Sequence, residues 1–112
     1  MTTGDPAIRV AVLDTGIRGD HEDLAGQWAG GHDFVSMRLF ARDGDGRDAD
    51  PTDPGDFLFR RSSSWHGSHV SGTIAAATDN GLGVAGIAPD TTLMPIRVLG
   101  VGGSGSMSDI ID

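Results

Sequence analysis

The chain has 112 residues, room for one small domain, with 16 acidic side chains against 8 basic ones and a formal charge of −8. That balance argues against a nucleic-acid or anionic-membrane surface as partner. Zero cysteines exclude a disulfide framework, a thiolate zinc site and a Cys nucleophile, and no run of about 18 apolar residues offers a membrane span. Fifteen of the acids are Asp, with Glu22 the single Glu, and all eight bases are Arg. Asp serves caps, turns and metal loops better than helix surfaces, so the composition points to ordered loops. The opening Met1–Pro6 has neither the charged nor the apolar region of a signal peptide.

In chain order, Ile8–Leu13 is short, β-branched and apolar at nearly every position, which predicts a strand buried on both faces as in a parallel sheet. It stops at Asp14-Thr15-Gly16, placing a carboxylate at the C-terminal edge where open α/β sheets carry their chemistry. Gly31–Val35 suits a second short strand. Residues 36–65 read as loop, rich in Ser, Gly, Pro and Asp, with Leu39-Phe40 and Phe57–Phe59 as apolar anchors. His66–Ala77 predicts a helix of small residues, ended by Asp79-Asn80-Gly81, and Gly72 inside it calls for close backbone packing. Leu93–Leu99 predicts another buried strand, in which Pro95 must lie near the start or at a gap in pairing. After the glycine-rich stretch 100–105, Ser106-Met107-Ser108-Asp109 has the form of a helix start. Strand, helix, strand, helix-start is α/β order.

Asp14 ends a strand and His66 opens a helix, so both can face one crevice. A carboxylate there would hold the Nδ1–H tautomer and leave Nε2 free to accept a proton, two thirds of a nucleophile-activating triad. Taken singly, the two residues also fit a turn cap and a helix cap. His66 and His69, three apart, with Asp14 as a third ligand would alternatively suit a metal.

Two stretches decide between these readings. Val10–Ile17 (VAVLDTGI) and His66–Ala75 (HGSHVSGTIA) resemble the Asp and His signatures of subtilisin-like serine proteases, the subtilase family. Asp20–Leu24 is similar to that family's H-P-D-L stretch, and Gly83–Pro89 and Val98–Gly105 match in order. The resemblance covers nearly the whole chain. It implies a partial subtilisin-like α/β fold, a parallel sheet with flanking helices, truncated at both ends, with residues 1–112 forming a fragment of one catalytic domain. It further implies a serine endopeptidase, secreted or extracellular. Asp14 would orient, His66 would be general base and acid, and His69 would be a packing residue. Gly103, Ser104 and Gly105 would form an exposed extended segment that pairs with a polypeptide substrate, and Leu99 and Met107 would line side-chain pockets. The family's G-T-S-M-A-type serine motif and oxyanion Asn do not occur in these residues, so the missing C-terminal part of the domain becomes a required partner and the piece alone is expected to be inactive.

Six Asp and one Arg between residues 43 and 56 concentrate −5 of the net −8. Asp43, Asp45, Asp48, Asp50 and Asp53 alternate with small residues as calcium loops do, although Arg47 stands in a ligand position and no closing Glu follows; a solvated acidic loop is the alternative. The resemblance implies structural Ca²⁺ here and at a second site matching Asp23 and Asn80. Two other functions remain open: a calcium- and peptide-binding pseudoprotease module, and an Asp-Thr-Gly aspartic protease of all-β fold.

Overall fold

The computed structural model describes residues 2–59 and 62–112. Strand β1 (Arg9–Asp14) lies parallel to β3 (Thr92–Arg97), which lies parallel to β2 (His32–Asp33), giving the order β1-β3-β2. Between β2 and β3 come α1 (Arg38–Ala41) and α2 (His66–Ala75), and a 3₁₀ turn at Val101–Gly103 leads into α3 (Met107–Ile111). Among the described residues no helix is long and apolar enough to cross a membrane.

Within these residues one face of the sheet is covered. Along β1 only Val12 and Asp14 are buried, while Ala11 and Leu13 on the other face are exposed. The covered face is the one α2 packs on, where Val12, Ile17, Leu24, Ala75 and Leu93 form the core with Trp28, Val70 and Ile74 at its margin. Full burial of side chains such as Ile17 and Leu93 contributes about 1.5–3 kcal/mol each. The opposite face of β1 carries the apolar Leu13 and is left open by this stretch of chain.

Pro95 occupies the fourth position of the central strand, not its start, and the expected gap in pairing accompanies it. In a parallel strand alternate residues bond to the same neighbour. Leu93 exchanges bonds with Gln27 and Ala29, and Arg97 accepts from Phe34 N, so Pro95 faces that side with no N–H to offer. The chain passes it at Gly31 (φ +108), where a Cβ would lie 2.5 Å from Pro95 O.

Residues 36–65 are mostly loop but contain the turn of helix α1, which ends at Arg42 in the left-handed region. The stretch is stitched into the fold by Ile17 N→Pro51 O (3.0 Å), Asp53 N→Ile17 O (3.0 Å) and a two-bond bridge between Asp33 and Asp48. Arg47 crosses to α3, donating to Asp109 (2.8 Å) and Asp112 (2.5 Å). Helix α3 begins as expected, with Ser106 Oγ accepting from Asp109 N. Asp109 then turns its carboxylate to Arg47 and Ser36 N.

Candidate active site

Two backbone elements converge on one point. β1 delivers Asp14 at its last position, and α2 delivers His66 at its first. His66 Nδ1 lies 2.9 Å from Asp14 Oδ1 and 2.8 Å from Oδ2, across 52 positions of sequence. The Asp14 side chain is 10% exposed and that of His66 62%, so the carboxylate is sheltered while much of the imidazole meets solvent.

The approach depends on glycine. A Cβ on Gly67 would sit 2.2 Å from Gly16 O, so the first turn of α2 rests directly on the backbone after Asp14. Gly16, at φ +104, is itself wedged beneath Pro51 O. Trp65, the N-cap, has φ +52, with the Arg18 guanidinium 5.0 Å from its ring centroid. A non-glycine residue in the left-handed region marks a site where surrounding contacts hold the backbone in place.

A hydrogen-bonded brace joins the two elements. Buried Thr15 donates Oγ1–H to Asp53 Oδ2 (2.7 Å) and accepts from Gly67 N (3.1 Å), while Thr15 N donates to Asp14 Oδ1 (2.7 Å). One hydroxyl thus fixes the loop carboxylate, the helix start and the strand end together. Arg18 N→Ser68 Oγ (2.8 Å) adds a second tie. Behind Asp14, on the same rung of the sheet, buried Arg97 donates to Asp33, Asp43 and Ala41 O. Burial pushes the Asp33 carboxyl up, to about 6, against the opposing pull of Val35 N and Arg97.

Asp14 and His66 are therefore together as the sequence implied. The pairing leaves the aspartic-protease alternative without support: the sheet is parallel and flanked by helices, and Asp14 faces an imidazole rather than a second carboxylate. Within these residues His69 is exposed and lines an open groove of about 860 Å³ along α2 together with Trp65, Thr73, Val84 and Ile87. Gly72 lines the same groove and meets nothing within 4 Å in this stretch of chain, while close backbone contacts fall at Gly67 and at Gly86, whose Cβ would lie 2.4 Å from Ala76 N. No group of three or more His, Asp or Glu able to hold a metal occurs among the described residues.

At the expected substrate edge, residues 102–105 are exposed. Gly103 (φ +65) belongs to the 3₁₀ turn, not to an extended segment; extended backbone begins at Ser104, and Gly100 N→Ser104 O closes the turn. Leu99 is half-buried, its side chain 3.0 Å from where a Cβ on Gly105 would stand, and Met107 is exposed at the start of α3.

The acidic run does not gather. Asp43 goes to Arg97 and Asp53 to Thr15 and Gly55 N, while Asp48 and Asp50 accept from Asp50 N and Thr52 N. Asp45 is exposed. Carboxylates so dispersed do not compose a cage of about six to eight oxygens. Asp23 and Asn80 do meet: Asp23 Oδ1 accepts from Asn80 Nδ2 (2.8 Å) and Oδ2 from Val84 N (3.0 Å). Asp33 and Arg97 carry no signal in the sequence, whereas Thr15 lies inside the Asp-Thr-Gly signature.

The family model of the subtilase family (peptidase S8) matches residues 5–112. An extracellular basic protease of Dichelobacter nodosus is 49% identical over 116 residues, covering 92% of this chain and 19% of that protein. Thermitase of Thermoactinomyces vulgaris is 34% identical over 102 residues, covering 91% and 30%. Among solved structures, a protease from Pseudoalteromonas arctica superposes with a TM-score of 0.90 at 48% identity, over 97% of this chain and 34% of that one. The chain thus spans 19% to 34% of these relatives' lengths. With an aspartate and a histidine joined by the geometry above, in the order and context of that family, the chain belongs to the subtilases.

Proposed function

We propose that this chain supplies the aspartate–histidine half of a serine endopeptidase, the attacking serine coming from the remainder of the catalytic domain. The observation that carries the reading is the approach of Asp14 to His66 Nδ1 at 2.8–2.9 Å. Held there, the Nδ1–H stays on the Asp14 side and Nε2 presents its lone pair. It takes the serine hydroxyl proton as oxygen attacks the scissile carbonyl, and later hands that proton to the leaving amine. Asp14 stays ionised throughout, stabilising the imidazolium without itself taking the proton. The exposed edge from Ser104 offers backbone groups to an extended peptide, and the extracellular naming of the Dichelobacter relative supports secretion.

The test uses the complete protein. A serine-directed fluorophosphonate should label one serine and abolish peptide hydrolysis. Asp14→Asn should lower kcat by about 10⁴-fold with little change in KM. A protein that binds peptide without turnover, or His66→Ala at full activity, would remove the protease reading. Calcium belongs in the proposal only at Asp23 and Asn80, which meet at 2.8 Å and whose side chains carry oxygens of the hard kind that ion takes. Added calcium should raise the Tm of the chelated protein, and Asp23→Asn should abolish the rise.

A further inference from the structure

Asp56 bonds to the chain beside each half of the site. Its backbone carbonyl accepts from Gly102 N (2.8 Å), in the 3₁₀ turn that leads into the extended edge at Ser104. Its carboxylate accepts from Ser64 N (2.6 Å) and Ser64 Oγ (2.7 Å), two residues before His66. A Cβ on Gly103 would stand 3.6 Å from Asp56 Oδ2, so only glycine separates the carboxylate from the exposed edge. Leu58, half-exposed, reaches to 3.2 Å from the equivalent point on Gly102 and gives the same place an apolar rim. Burial pushes the Asp56 carboxyl up, but the Ser64 hydrogen bonds and the nearby His66 outweigh it and hold it below the usual range, so it is ionised at neutral pH.

An anion beside an apolar rim suits one kind of side chain: an aliphatic stem that ends in a cation. A strand added along the edge sends alternate side chains to opposite faces, so one substrate position looks at Asp56 while its neighbours look away. Resting on the protease reading above, we infer that Asp56 is a specificity-determining residue that selects lysine or arginine at a single substrate position between His66 and the edge that begins at Ser104.

The experiment follows hydrolysis of matched peptides by the complete enzyme. One lysine is moved through the four positions on the acyl side of the scissile bond, each peptide paired with its norleucine counterpart. At one position lysine should raise kcat/KM by about fivefold, the scale of a partly solvated ion pair. The ratio should return to near one in Asp56→Asn, persist in Asp56→Glu, and shrink between 0.05 and 0.5 M salt. Equal turnover of both members of every pair, a preference that survives Asp56→Asn, or one indifferent to salt would overturn the assignment while leaving the protease intact. Because the salt dependence is read on the unmodified enzyme, its absence refutes a charged contact even if the variants fold poorly. Cleavage of no peptide in the series removes the protease reading and this inference with it.

Discussion

Gly67→Ala tests the geometry most sharply, because it adds one methyl group where the structure leaves no room. The added carbon would stand 2.2 Å from Gly16 O, 3.1 Å from Gly16 N and 3.2 Å from Asp14 Cβ. The two closest of these are backbone atoms, and Gly16 cannot retreat because it already lies against Pro51 O. Relief must come from lifting the first turn of α2 by about 1 Å to reach ordinary contact. His66 rides on that turn, one residue away. A displacement of about 1 Å at a proton-transfer partner costs about 10²-fold in rate, and overpacking of this kind costs about 1–3 kcal/mol of stability.

In the complete enzyme the loss should fall on kcat, since the proposed peptide-binding edge from Ser104 lies on a different segment. Steady-state kinetics on one peptide substrate and a urea midpoint for each protein suffice. A Gly67→Ala enzyme with kcat within threefold of wild type and an unchanged midpoint would refute the claim that backbone contact between helix and strand sets the Asp14–His66 distance.

Thr15→Val keeps shape but removes the hydroxyl between Asp53 and Gly67 N, leaving two buried groups without their partner; we expect a loss of about 3 kcal/mol by urea midpoint, recovered largely by Thr15→Ser. For Asp109, burial pushes the carboxyl up, but bonds from Arg47, Ser36 and Ser106 hold it at about 2. With its folded value depressed, its contribution is present above about pH 4 and lost as pH falls toward 2, so midpoints measured from pH 5 to 2 should decline less steeply in Asp109→Asn. Asp33 has the opposite sign. Its raised folded value means stability falls as pH rises through about 6, and that decline should weaken in Asp33→Asn.

The Asp14–His66 pair is legible because each residue sits at the end of an element with a strong local signature: a β-branched run that stops, and a small-residue helix that starts. Gly67 stands beside His66 in the same motif. Gly72 opens on the groove, where these residues place nothing opposite it, so its partner is not local to this stretch of chain. Pro95 reads rightly as a gap, but which neighbour leaves the gap depends on the sheet order, which one strand's sequence does not contain.

The acidic run shows the limit most clearly. As sequence it reads as a single block of repelling charge in need of a cation. In the fold Asp43, Asp48, Asp50 and Asp53 each accept a hydrogen bond from the backbone N–H two residues on, as do Asp5 and Asp33 elsewhere. That bond favours a side chain one methylene shorter than Glu, which accounts for six of the fifteen Asp in this chain. The second oxygens then disperse to partners distant in sequence, Arg97 for Asp43 and Thr15 for Asp53, that no local pattern announces. Asp56 breaks the rule: its carboxylate reaches Ser64, eight residues on, and its carbonyl holds the turn at Gly102. A run that looks like one acidic feature is thus a set of turn-forming carboxylates plus one that ties two distant loops together.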